Sequence, residues 1–79
     1  MKPNSIELKI VKSLKAERLS AGYKIINVAN SIGVSESTIS KIEGGKLGLT
    51  IDRLYDICDF LKIPVEEFLS KHNLKDPPK

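Results

Sequence analysis

The sequence predicts an all-α fold, five short helices in one compact domain. Three observations lead there. Apolar residues recur at helical spacings in successive segments, and no segment alternates strictly as a half-buried strand does. Residues that stop or start helices (Gly22, Gly33, Gly44-Gly45, Pro64) divide those segments at short intervals. The 79 residues, 41% hydrophobic and 29% charged, suffice for one core. A domain of this size buries only about 60–65% of its unfolded surface, which argues against a deep catalytic cleft.

The first helix runs from Ser5, a candidate N-cap, to Ser20, with Gly22 as its stop. Ile6, Ile10, Val11 and Leu14 form its inward stripe, and Lys9, Lys12, Lys15 and Arg18 cover much of the rest. The second spans Lys24 to Ser31 and turns Val28, Ala29 and Ile32 inward; Gly33 supplies the positive φ of the turn that follows. The third spans Glu36 to Glu43, capped by Ser35, with Val34, Ile39 and Ile42 toward the core and Gly44-Gly45 at its end. The fourth spans Ile51 to Leu61 behind Thr50, with Ile51, Leu54, Ile57, Cys58 and Leu61 as its buried stripe. Pro64 suits the start of a fifth helix, Val65 to Lys71, which packs Val65, Phe68 and Leu69. Tyr55 is assigned to the core, whereas Phe60 fits either the core or a dimer contact. Residues 1–73 then form the domain, and 74–79, with Pro77-Pro78, a flexible polar tail.

Charge is unevenly placed. The net charge is +3, but residues 1–46 hold eight basic and four acidic side chains, and 47–79 hold five and six. A positive field confined to one half suits a polyanionic partner, and equally a solvated basic surface. The single cysteine, Cys58, lies on a buried stripe without a catalytic partner. It cannot close an internal disulfide, which points to a reducing compartment. No apolar run approaches the ~20 residues that span a bilayer, and no apolar segment follows Lys2-Pro3 as in a signal peptide. A cytoplasmic protein without membrane contact is expected.

The most informative stretch is Ala29 to Glu43, A-N-S-I-G-V-S-E-S-T-I-S-K-I-E. Ala29 stands four residues before Gly33, and Gly33-Val34-Ser35 joins two short helices. A small residue lets two helix axes approach, and glycine permits the sharp crossing: a helix-turn-helix. The outer face of the second helix carries Glu36, Ser37, Ser40 and Lys41, polar and mostly short. Such a face can address base edges in a major groove: Lys41 can donate to guanine, Glu36 can accept from cytosine, and Ser37 can do either. Any surface helix is also polar outside, so these residues by themselves leave both readings open.

From Lys15 to Leu69 the sequence resembles the phage-repressor/Cro-type, or Xre-type, helix-turn-helix family. The resemblance rests on Arg18 and Gly22, Val28-Ala29, Gly33-Val34-Ser35, the run Ser37 to Glu43, Gly45-Lys46, Leu54, Ile57, Leu61, Ile63 and Leu69. It implies a lambda-repressor-like five-helix DNA-binding domain whose helices two and three form the motif. Base reading would then fall to Glu36, Ser37, Ser40 and Lys41, and phosphate positioning to Lys24, Ile25, Ser35, Thr38, Gly45 and Lys46. It also implies a structural salt bridge between Arg18 and Glu43. Departures are visible: Ile25 stands where the family usually has Gln, Ile26 where it is usually charged, Phe60 where it often has Ala, and the reader helix has no Arg.

The expected function is a sequence-specific, repressor-like transcriptional regulator that reads double-stranded DNA at a pseudo-palindromic operator as a homodimer. The alternative, motivated by Ile25, Ile26 and Glu36, is a protein-interaction module of the same fold that has lost specific DNA binding. An enzyme finds no support: no paired catalytic residues, no phosphate loop and no metal cluster are seen. No cofactor, metal or small-molecule effector is expected. His72 stands alone in a polar stretch, Asp52, Asp56 and Asp59 line an exposed face, and Glu66-Glu67 open the fifth helix at the positive end of its dipole.

Overall fold

A computed structural model of the chain describes residues 5–72, with Ser5 described by its backbone alone. The expected Ser5 cap and the tail 74–79 lie outside what is described. The order is α1 (Ser5–Ser20), α2 (Ile25–Ile32), α3 (Glu36–Glu43), α4 (Ile51–Phe60) and α5 (Val65–Lys71). The ends of α1, α3 and α5 match those expected from the sequence. Helix α2 starts and stops one residue later than expected. Lys24 is extended (φ −87°, ψ 161°) and serves as the N-cap, and its N–H donates to Asn27 Oδ1 at 2.8 Å. A lysine side chain has no acceptor to return that bond. Helix α4 stops one residue early, with Leu61 as its cap.

Side-chain caps start the helices on either side of the long loop. Ser35 accepts from the Thr38 N–H and Thr50 from the Arg53 N–H, each at 3.1 Å. Helix ends share one closing bond, in which an amide two or three residues past the helix donates to the carbonyl five positions back. Val34 N–H reaches the Ala29 carbonyl at 3.0 Å, and Ile63 N–H the Cys58 carbonyl at 3.0 Å. That geometry needs a left-handed residue between. Gly33 supplies it at φ 76°, whereas Lys62 adopts φ 61° with a side chain attached. Nothing lies within 4 Å of a Cβ built on Gly33. Gly33→Ala is therefore expected to cost about 1 kcal/mol through backbone strain alone, read as a lower thermal midpoint.

The core is one cluster: Leu14, Val28, Ala29, Ile39, Leu54, Ile57, Cys58 and Phe68. Ala29 and Phe68 are 0% exposed. Ala29 sits where α2 meets α3, and a larger side chain there would force the two axes apart. Ile10, Ile32, Val34, Leu61, Ile63, Val65 and Leu69 pack around the cluster.

Three residues expected inside are outside: Ile6 is 45% exposed, Ile51 69% and Tyr55 57%. Ile6 lies more than a turn before Val11, where burial of α1 begins. Ile51 keeps the azimuth of its stripe but opens α4, where no other described element buries it. Tyr55 lies on the rim of that stripe, facing away from Leu54 and Ile57. Phe60 resolves as an internal contact, its ring centroid 4.6 Å from that of Tyr23.

His72, expected to stand alone, instead bonds Glu17 Oε2 through Nε2 at 2.6 Å. Lys71 Nζ meets the same oxygen at 2.8 Å, so α5 is tied to α1 through a carboxylate that is itself buried. The Lys71 and His72 bonds hold the Glu17 carboxyl below its ordinary 4.5, against the opposing effect of burial. A depressed carboxyl stabilises the fold fully above its unfolded value and loses that contribution as pH falls through the folded value. The melting-point gap between the wild type and Glu17→Gln is accordingly expected to be at full width above about pH 6 and to shrink as pH falls below about 4.5. A gap that stays constant with pH would contradict this.

Candidate nucleic-acid interface

Helix α3 is held by one face and shows the other. Ile39 and Ile42, each 2% exposed, anchor it to α2 and α1, while Glu36, Ser37, Ser40 and Lys41 are all exposed. The helical period explains the split: those four positions fall on one arc, opposite the two isoleucines. None of the four makes a side-chain hydrogen bond or ion pair among the described residues. Among the described residues, nothing covers this face.

The groups expected to position phosphates surround it unequally. At the start of α2 the Lys24 side chain is exposed, while its amide is engaged by Asn27. The Ile25 and Ile26 amides make no bond within the described residues, as first-turn amides must when no cap reaches them. They offer the outward N–H groups that favour a phosphate. The Ile25 side chain, by contrast, packs against the core. At the start of α3, Ser35 Oγ and Thr38 Oγ1 lie 2.9 Å apart, and one hydroxyl proton bridges them. The other remains free to donate.

The loop after α3 folds its first amides back onto the helix. Gly45 N–H donates to the Ile42 carbonyl at 3.1 Å and Lys46 N–H to the Lys41 carbonyl at 2.8 Å. The Gly45 amide is therefore engaged in closing the helix, and what this loop can offer a phosphate is the exposed Lys46 side chain. Gly45, at φ 74°, turns the chain so that Lys46 follows directly.

Arg18 ties α1 to both ends of the motif. Its Nε and Nη2 donate to the two Glu43 carboxylate oxygens at 2.8 and 2.9 Å, and Nη1 donates to the Tyr23 carbonyl at 2.8 Å. One guanidinium thus joins the end of α3 to the turn that leads into α2. Only 7% of the Arg18 side chain and 12% of that of Glu43 are exposed. Such a two-pronged, water-poor pair is directional and costly to break.

Two contributors escaped the sequence reading. Glu7 Oε2 accepts from the Leu49 N–H at 3.1 Å, and so pins the far end of the α3–α4 loop to α1. A Cβ on the adjacent Gly48 would lie 3.6 Å from the same oxygen. Glu7, Val11, Leu14 and Arg18 share a single stripe of α1, and that spacing was a usable signal. The second is Glu17, whose partners at the chain's other end no local pattern reveals. Cys58 is 1% exposed, and burial, with the nearby Glu17 charge, pushes its thiol up to about 11. That thiol is a core group, not a nucleophile.

Comparison with known proteins places this geometry. The model of the helix-turn-helix family matches residues 14–68. The chain is also similar to a protein of Rhodospirillum rubrum described as an uncharacterized transcriptional regulator in the ATPase CF(0) region, with 40% identity over 50 residues. That alignment covers 63% of this chain and 46% of the relative, so the chain spans less than half the relative's length. The match runs from Leu14 through Phe68, two buried residues that bracket the motif and its core, and the chain belongs to the Cro/C1-type helix-turn-helix family.

Proposed function

We propose that the protein is a sequence-specific, repressor-like regulator of transcription that binds double-stranded DNA as a homodimer and acts in the cytoplasm by binding rather than catalysis. One observation carries the proposal: the outer face of α3 is exposed, polar and unengaged among the described residues, while its inner face is locked to the core. Family membership and a relative described as a transcriptional regulator support it. In this reading α3 enters the major groove. Glu36, Ser37, Ser40 and Lys41 address base edges, with Glu36 matched to a cytosine amine. Lys24, the Ile25 amide, Ser35, Thr38 and Lys46 set the register on phosphates, and Gly45 shapes the turn that presents Lys46. Two copies would place their reader helices one helical turn apart, about 34–36 Å, on a pseudo-palindromic operator.

The rival reading, an interaction module that has lost DNA binding, rests on the adjacent apolar residues Ile25 and Ile26 at the start of α2 and on the acidic Glu36. Ile25 packs inward and leaves only Ile26, at 37% exposure, outside.

Binding to a non-specific duplex across a salt series tests the proposal. Each phosphate contact is expected to add about 0.9 to the slope of log affinity against log salt. Selection from random duplex should then return two related half-sites. No retention on duplex or heparin at low salt would overturn the assignment.

A further inference from the structure

The outer side of α1 carries a stripe that the fold does not use. Leu8, Lys12, Lys15 and Leu19 follow one another at intervals of four, three and four positions, which sets them on one line along the helix. All four are exposed, the two leucines by 37% and 58%. Lys9 is exposed beside them. Both carboxylates of α1 are engaged elsewhere: Glu7 accepts from the Leu49 N–H, and Glu17 holds Lys71 and His72. None of the three lysines makes an ion pair among the described residues.

We propose that this stripe docks an acidic amphipathic helix of another protein. Apolar side chains of that helix, eleven positions apart, seat on Leu8 and Leu19, and carboxylates between them face Lys12 and Lys15. Charge sets the sign of the partner, because three cations without a counter-ion of their own attract an anionic surface. The leucines set its class. They bracket the lysines, and a nucleic-acid backbone has nothing apolar to cover them, whereas an amphipathic helix has. Leu8 and Leu19 are three turns apart, about 16 Å along the axis, so a helix laid alongside meets both with the same spacing. The sequence of intervals is the same in either direction, and a parallel or an antiparallel partner fits alike.

The chain does not supply this partner itself. Residues 1–4 and 73–79 bring three lysines and one aspartate, the wrong sign for the stripe. A second copy would have to offer its acids from a different face, a head-to-tail contact that propagates into rings or filaments instead of ending in a pair. A single stripe of this length falls short of the roughly 800 Å² per partner in a standard stable interface, which suits a partner that binds and leaves.

The test titrates the whole chain into a fluorescent peptide and follows its anisotropy. The peptide has two leucines eleven positions apart, glutamates four and seven positions after the first, and alanine and glutamine elsewhere. Lys12→Glu combined with Lys15→Glu is expected to raise the dissociation constant at least tenfold, and a peptide with lysines for its glutamates to recover binding to that variant. Leu19→Ser should raise the constant at least threefold. All three substitutions are at exposed sites, and an unchanged circular dichroism melt confirms folding. No binding at millimolar peptide overturns the docking surface. Equal binding of a peptide with serines for its leucines overturns it too, leaving a solvated basic face. A duplex salt slope flattened by about two in Lys12→Ala with Lys15→Ala would assign the stripe to nucleic acid instead. Self-association of the free chain that Leu19→Ser abolishes would assign it to a second copy.

Discussion

Glu43→Ala is expected to lower the unfolding free energy by about 3 kcal/mol, read from the midpoint of a urea titration. The loss comes from what remains, not from what is removed. Arg18 is 6% exposed, and without the carboxylate its guanidinium keeps a single protein acceptor, the Tyr23 carbonyl. An uncompensated buried cation costs far more than an exposed ion pair gives. The value falls at the low end for buried pairs because that third bond survives and the Glu43 side chain, 12% exposed, admits water when truncated. Replacing both partners by apolar residues of similar volume, as in Arg18→Met with Glu43→Leu, should recover most of the loss. If stability returns and DNA affinity does not, the pair serves chiefly to set the angle between α3 and the start of α2. A single Glu43→Ala variant with an unshifted midpoint would show that the pair contributes nothing net.

The same pair shows what a sequence can disclose. Each helix boundary is set by nearby residues: Ser35 and Thr50 accept from amides three positions ahead, and Gly33 permits the turn. These are local events, and residue type and spacing carry them. The outer face of α3 follows from its period in the same way, because two buried isoleucines determine where the other side chains point. The pairings that tie distant segments are different. Glu17 meets His72 across 55 positions, and Glu7 meets the Leu49 amide across 42. A helical wheel assigns a residue to a face but does not say which element arrives to cover it. Ile51 fails for that reason: its stripe is right, and nothing among the described residues comes to bury it, whereas Tyr55 lies on the rim of that stripe and faces away from the core. Arg18 with Glu43 was legible only through the family resemblance, since nothing in the intervening sequence brings the two together.

Lys41→Ala and Lys46→Ala should fail in different ways, and the contrast tests the division of labour in the interface. Lys41 lies on the outward arc of α3 with Ser37, where a groove would present base edges. Its loss is expected to cost about 1–3 kcal/mol on the preferred duplex, to relax the preference at one base pair, and to leave non-specific affinity nearly intact. Lys46 follows the left-handed Gly45 in a loop held at both ends, by its own amide on the Lys41 carbonyl and by Glu7 on Leu49. In the proposed complex a charge so placed is expected to meet the backbone of the duplex, which is the same for every sequence. Lys46→Ala should therefore weaken all duplexes alike and flatten the salt slope by about one. Glu7→Ala offers an internal control: it frees the loop without removing a cation, so affinity should fall while the salt slope holds. Competition binding with single-base variants of a selected duplex, repeated across a salt series, separates the three. Equal behaviour of Lys41→Ala and Lys46→Ala in both measurements would mean that α3 does not present its outer face to base edges.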